Sequence, residues 1–208
     1  MITLMTSSAD PNETVITRAV DVLRSGGVVA YPTDTLYGLA VDPRRPDAVE
    51  RLYAAKGRDV SVAVPLIAAS LEQAQDAAIF GDRDLRLANT FWPGPLTIVM
   101  PARPAIAAAA LAGGTTVGIR VPSHPVARRL AEAFGFPLTA TSANRTGQAP
   151  ASTAPEVVAA ISSGIDLLID AGAVAGGLPS TIVEIAPSGP RLVRRGAVAW
   201  ERVLESLE

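Results

Sequence analysis

The chain has 208 residues, 49% of them apolar and 4% aromatic, with a formal net charge of −2. That is enough chain for an aliphatic core built from Ala, Val, Leu and Ile, and the charge argues against a protein that coats nucleic acid by basic excess. With no cysteine and one histidine, His124, the chain excludes disulfides, thiolate metal sites, cysteine nucleophiles and multi-histidine metal centres.

Residues 1–14 are mixed polar and carry no signal-peptide pattern. No run approaches the roughly 18 apolar residues of a membrane span, so a soluble, cytoplasmic protein is expected. Asp10-Pro11 opens a first helix, with Asp10 as cap, Pro11 at the first position and Glu13 at the third. Its apolar stripe, Val15, Ala19, Val22 and Leu23, ends at Gly26-Gly27. Val28–Tyr31 is a short apolar strand that runs into a polar turn. A second helix starts at Pro46 and ends near Gly57. Val62–Ala68 reads as a buried strand, Asp82–Phe91 as a helix and Leu96–Met100 as a strand. Thr116–Val121 is a strand, Pro125–Phe134 a helix, and Leu138–Thr141 a strand feeding the polar loop Ser142–Ser152. Pro155–Ser163 is helical and Leu167–Asp170 a strand, followed by the glycine-rich loop Gly172–Pro179. Ser180–Ile185 and Arg191–Arg194 suggest a hairpin, and Trp200–Leu207 closes as a helix. Alternating strands and helices, with no linker or repeat, predict one α/β domain over residues 1–208 around a twisted, mixed sheet.

Polar groups interrupt this scaffold at element ends, where α/β proteins bind ligands. Thr33, Asp34, Thr35 and Tyr37 follow the first internal strand. Lys56 and Arg58 follow the second helix, where cations also offset the helix dipole. Strand alternation puts Thr116, Gly118 and Arg120 on one face. A buried arginine there needs either an internal acid, such as Glu184, or an anionic ligand. Ser142 and Asn144 either shape a turn or orient a ligand. His124, between Ser123 and Pro125, belongs to a helix start. Ser180, Thr181, Arg194 and Arg195 complete the set. Arginine forks and lysine charges suit phosphate and carboxylate. The chain has neither a Walker loop nor a Gly-x-Gly-x-x-Gly fingerprint. The residues alone therefore point to a small anionic ligand, a nucleotide among the options, in an α/β groove.

Seven motifs occur in order: Pro32-Thr-Asp-Thr-Leu-Tyr-Gly-Leu39, Lys56-Gly-Arg58, Trp92-Pro-Gly-Pro-Leu-Thr97, Val117-Gly-Ile-Arg-Val-Pro-Ser-His-Pro125, Thr141-Ser-Ala-Asn-Arg-Thr-Gly147, Pro179-Ser-Thr-Ile-Val183 and Leu192-Val-Arg-Arg-Gly196. Together they resemble the YrdC-type threonylcarbamoyl-AMP synthases from about residue 27 to 198. The resemblance implies a YrdC/RibB-like α/β fold with a positively charged concave groove. It implies that L-threonine, bicarbonate and ATP give threonylcarbamoyl-adenylate and pyrophosphate, with Mg2+ accompanying ATP and no protein metal site. A partner protein complex would pass the group to tRNA. Carried over residue by residue, Thr35, Arg120 and Ser180 match threonine contacts. Lys56, Arg58, Thr116, Ser142, Asn144 and Arg194 match ATP contacts, with Lys56 and Arg58 in the catalytic role. Many members have an Asn and a nearby His after the Lys-x-Arg. Here the segment to Pro65-Leu66 is two residues longer, Val64 stands at the Asn, and Asp59 and Ser61 are the candidate substitutes. Ser152 is the candidate for a family serine in the following loop. The chain resembles the family's short form, without an extra C-terminal domain. Two alternatives are an RNA-binding module acting on tRNA or rRNA, and a carbamoyl-adenylate-forming relative. The shortage of aromatic stacking platforms weighs against the first.

Overall fold

The computed structural model describes residues 1–57 and 59–208. Helix α1 spans Glu13–Arg24 and is capped by Asn12, whose side chain accepts from the Thr14 N–H, two residues later than the cap expected at Asp10. Thr6 fixes that start, because its hydroxyl accepts from the Asn12 N–H at 2.7 Å. Helices α2 (Pro46–Lys56), α4 (Asp82–Phe91) and α5 (Pro125–Phe134) occupy the predicted positions. His124 caps α5, its ring accepting from the Val126 N–H. Helices α6 (Ala154–Ile161) and α7 (Trp200–Glu205) follow. A short α3, Leu71–Gln75, was not evident in the sequence, being only five residues long.

The strands form two mixed sheets rather than one continuous sheet. The first has the order β1-β9-β2-β3-β8 and the second β11-β10-β5-β6-β4-β7. In the first sheet, β2 (Val29–Pro32) and β3 (Tyr37–Ala40) form an antiparallel hairpin around residues 33–36. Beside β2 lies β9 (Leu167–Asp170), parallel to it and to the edge strand β1 (Ile2–Met5). The sequence hid β1 because only Leu4 is partly covered, so no alternation shows. In the second sheet, β6 (Thr116–Arg120) lies between β5 (Leu96–Pro101) and β4 (Leu66–Ile67). The hairpin of β10 (Thr181–Ala186) and β11 (Gly189–Arg194) extends this sheet beyond β5. Strand β4 is shorter than the predicted Val62–Ala68. Pro65 has no N–H for a ladder, and the Val64 N–H donates instead to the Ala110 carbonyl.

The predicted strand Leu138–Thr141 breaks into β7 (Leu138–Thr139), in the second sheet, and β8 (Thr141–Ser142), in the first. Ala140 still donates to Pro65, while Thr141 already pairs with Leu39. One residue thus carries the chain between sheets and delivers Ser142 to their junction. The core is aliphatic, with Tyr31 and Tyr37 as its largest fully buried side chains. Helices α1 and α5 pack on each other and against the first sheet. Among the described residues, no helix is long and apolar enough to cross a membrane.

Candidate active site

A cavity of about 750 Å³ opens along the second sheet, beside the β3–β8 end of the first. That volume suits a small-molecule site. Its floor comes from alternation: Thr116, Gly118 and Arg120 face the cavity, while Val117 and Ile119 are buried on the other side. Gly118 keeps the floor low, since a Cβ there would lie 3.1 Å from Thr97 Cγ2. Thr35, Ser142, Asn144, Ser180 and Arg194 line the same cavity, gathered from separate stretches of sequence.

Arg120 is buried, and its internal partner is Asp34 rather than Glu184. The Arg120 Nη1 donates to Asp34 Oδ1 at 2.8 Å, with the two side chains 8% and 12% exposed. Nη2 donates to Thr33 Oγ1 at 3.2 Å and Thr35 Oγ1 at 3.4 Å. Glu184 instead accepts from Arg191 Nε at 3.0 Å, its neighbour across the β10–β11 hairpin. The turn holding Asp34 is tied by Thr33, whose hydroxyl donates to the Leu36 carbonyl at 2.7 Å and accepts from the Thr35 N–H. Burial pushes the Tyr31 phenol upward, and burial holds His124 below the ordinary imidazole range despite the Asp34 charge nearby. Both are therefore neutral at pH 7.

At the other side of the cavity, Arg194 donates from Nη2 to the Ser180 carbonyl at 2.7 Å and to its hydroxyl at 3.1 Å. The Ser180 hydroxyl also meets Thr97 Oγ1 at 2.9 Å. Partial burial first, and the Arg120 charge second, pull the Arg194 pKa below the usual guanidinium value. It remains cationic at neutral pH. Gly196 makes this arrangement possible. A Cβ there would fall 2.3 Å from the Pro179 carbonyl oxygen and 2.5 Å from the Ser180 carbonyl carbon. The chain after Arg194 thus lies directly on the Pro179–Thr181 backbone, and the Ala197 N–H donates to Pro179 at 2.9 Å.

Lys56 is 4% exposed and sits behind the cavity wall. Its ammonium donates to the Ser142 carbonyl and, at 2.8 Å, to the Asn144 carbonyl. The Thr146 N–H returns a bond to the Lys56 carbonyl. Asn144 Nδ2 donates to the Arg145 and Gln148 carbonyls at 2.9 and 2.7 Å, which shapes the loop, while its Oδ1 is buried without a partner among the described residues. The turn-forming and ligand-orienting roles of Asn144 are compatible, because they use different atoms. Arg58 lies outside the described residues.

Val64 lines the cavity as an apolar group. Asp59 and Ser61 are exposed, and Asp59 accepts from the Ser61 N–H at 2.9 Å. Neither lines the cavity. Ser152 is occupied at the start of α6, where its N–H and hydroxyl both donate to Glu156. Sequence reasoning missed Thr97 and Gln148 as lining residues. Thr97 had a signal: it is the one polar residue in the strand Leu96–Met100. Among the described residues, no group of three or more His, Asp or Glu could hold a metal. The hydroxyls, amide and arginines of the cavity suit an anion better than a bare cation.

A family model for the Sua5/YciO/YrdC group, described as "Telomere recombination", matches residues 21–196. The chain is 34% identical over 201 residues to a threonylcarbamoyl-AMP synthase of Bacillus subtilis, covering 96% of this chain and 58% of that protein. It is 41% identical over 143 residues to a threonylcarbamoyl-AMP synthase of Photobacterium profundum, covering 67% of this chain and 77% of that one. The crystal structure of P. abyssi Sua5 complexed with L-threonine superposes with a TM-score of 0.94 at 32% identity, covering 99% of this chain and 61% of that chain. The chain thus spans about three fifths of the length of the Bacillus and P. abyssi proteins. On the matched span, the fold and the ordered motifs, the chain belongs to the Sua5/YciO/YrdC family.

Proposed function

We propose that this chain is a threonylcarbamoyl-AMP synthase, converting L-threonine, bicarbonate and ATP to threonylcarbamoyl-adenylate and pyrophosphate. The observation that carries the reading is the pairing of two differently furnished arginines in one cavity, Arg120 on the floor and Arg194 at the wall. It is supported by relatives bearing that name at 34% and 41% identity.

In this reading Arg120 receives the threonine carboxylate as a fork, with the Thr35 and Ser180 hydroxyls orienting the amino acid. The threonine amine loses a proton and adds to carbon dioxide drawn from bicarbonate, giving a carbamate. The carbamate oxygen attacks the α-phosphorus of ATP, and the bond to the pyrophosphate oxygen breaks. Arg194, with Thr116, Ser142 and Arg58, would hold the phosphates and offset the charge growing on the departing pyrophosphate. Asn144 Oδ1, buried without a donor among the described residues, would accept from a nucleotide N–H or O–H. Lys56 positions Ser142 and Asn144 through their carbonyls. Little acid–base chemistry is asked of the protein, and placement with electrostatics carries the step. Mg2+ enters as part of the ATP substrate. The product would pass to a threonylcarbamoyl-transfer complex and then to tRNA, which puts the reaction in the cytoplasm.

The test is pyrophosphate release with single omissions. Release should require threonine, bicarbonate and ATP together. ATP turnover unchanged when threonine is left out contradicts the proposal.

A further inference from the structure

Arg120 and Arg194 line the same cavity, yet their electrostatic surroundings differ. Arg120 carries a carboxylate counter-charge at 2.8 Å, on a side chain that is 12% exposed. Among the described residues, the Arg194 guanidinium hydrogen-bonds to the neutral carbonyl and hydroxyl of Ser180 and joins no ion pair. The second Asp34 oxygen, Oδ2, is buried with no hydrogen-bond partner among the described residues, so none of their donors dilutes its charge. Among the described residues, the Tyr31 phenol and the His124 imidazole, both neutral, lie within range of the Asp34 charge, and Arg194 lies within range of Arg120. The Arg120–Asp34 subsite therefore has a net charge near zero, while the Arg194 end is positive.

We propose that Asp34 is a specificity-determining residue. By neutralising Arg120 it makes that subsite select a zwitterionic amino acid and reject a polyanionic phosphate, which is left to Arg194. This rests on the adenylate-synthase reading and gives it a mechanism for keeping two anionic groups apart. ATP and pyrophosphate carry several negative charges. Beside an unpaired buried arginine they would compete with a single carboxylate. Beside Arg120–Asp34 they meet the Asp34 charge, and like charges at close range in a poorly solvated site repel strongly. An α-amino acid brings its own ammonium, so its entry leaves the subsite near neutral.

Asp34→Asn keeps the shape and the oxygen facing Arg120 and removes only the charge. Calorimetric titration of wild type should show L-threonine binding that saturating inorganic pyrophosphate does not displace. It should also show threonine favoured over 3-hydroxybutyrate, which lacks the ammonium, by roughly tenfold or more. In Asp34→Asn that preference should shrink, and pyrophosphate should become competitive with threonine. Retention of wild-type selectivity in folded Asp34→Asn overturns the inference. So does competition by pyrophosphate in wild type, an arm that needs no variant to fold. Wild type that binds no L-threonine overturns the functional reading and this inference with it. Wild type that binds L-threonine but yields it to pyrophosphate overturns this inference alone.

Discussion

Replacing Lys56 with methionine keeps the aliphatic stem and removes the ammonium that holds the 142–146 loop. The two carbonyls do not suffer equally. Ser142 keeps the Asn144 N–H as a donor at 3.0 Å, whereas Asn144 has its carbonyl bonded to the ammonium at 2.8 Å. A hydrogen bond to a charged group contributes about 1.5–3 kcal/mol, and an abandoned buried acceptor adds about 1–3 kcal/mol. Relief from desolvating the ammonium offsets part of this. The net expected destabilisation is about 2–3 kcal/mol, which for a chain of this size lowers Tm by roughly 5–10 °C. Denaturant unfolding measures the free energy. Calorimetric titration should show nucleotide affinity falling more than threonine affinity, because Ser142 and Asn144 move while Arg120 stays in place. A Lys56→Met protein within about 0.5 kcal/mol of wild type, with unchanged nucleotide affinity, would refute the clamp.

Further outcomes follow from the same geometry. Gly118→Val should raise the apparent KM of threonine or ATP, since its side chain would fill the cavity floor and its Cβ would press on Thr97 Cγ2 at 3.1 Å; unchanged kinetics in folded protein would remove Gly118 from the floor. Gly196→Ala should destabilise by about 2 kcal/mol or more and weaken phosphate binding, because the added carbon meets three backbone atoms within 2.5 Å. Unfolding midpoints and pyrophosphate titration report the two effects. Burial lowers the His124 pKa relative to its usual 6.5. The unfolded chain then binds the proton more tightly, so this residue's contribution to stability is present above about pH 6.5 and is lost as pH falls through the lower folded value. His124→Asn retains a capping acceptor and should flatten that part of the stability–pH curve; an unchanged curve would assign the dependence elsewhere.

Helices were the most legible part of the fold. α2, α4 and α5 carry their own punctuation, proline or acid at the start and a left-handed glycine after α2 and α5. The sheets were less so. Strand β3 was hidden because Tyr37-Gly-Leu-Ala40 is buried on both faces and shows no alternation. The break at Ala140 that divides the sheets depends on long-range pairing with Pro65 and Leu39, which no local pattern contains. In the site, alternation alone placed Thr116, Gly118 and Arg120 on one face. The partner of Arg120 was not legible, because Asp34 and Arg120 are 86 residues apart and meet only through the turn after β2. The same holds for Lys56, whose carbonyl acceptors lie in another loop and leave no side-chain signature.

The most direct test supplies ATP and L-threonine with carbon-13 bicarbonate and reads the adenylate by mass spectrometry. Threonylcarbamoyl-adenylate carrying the heavy carbon is the expected product, formed only when threonine is present and sharply reduced in Arg120→Ala. A threonyl-adenylate without the label, or no adenylate at all from folded wild type, would contradict the proposed function.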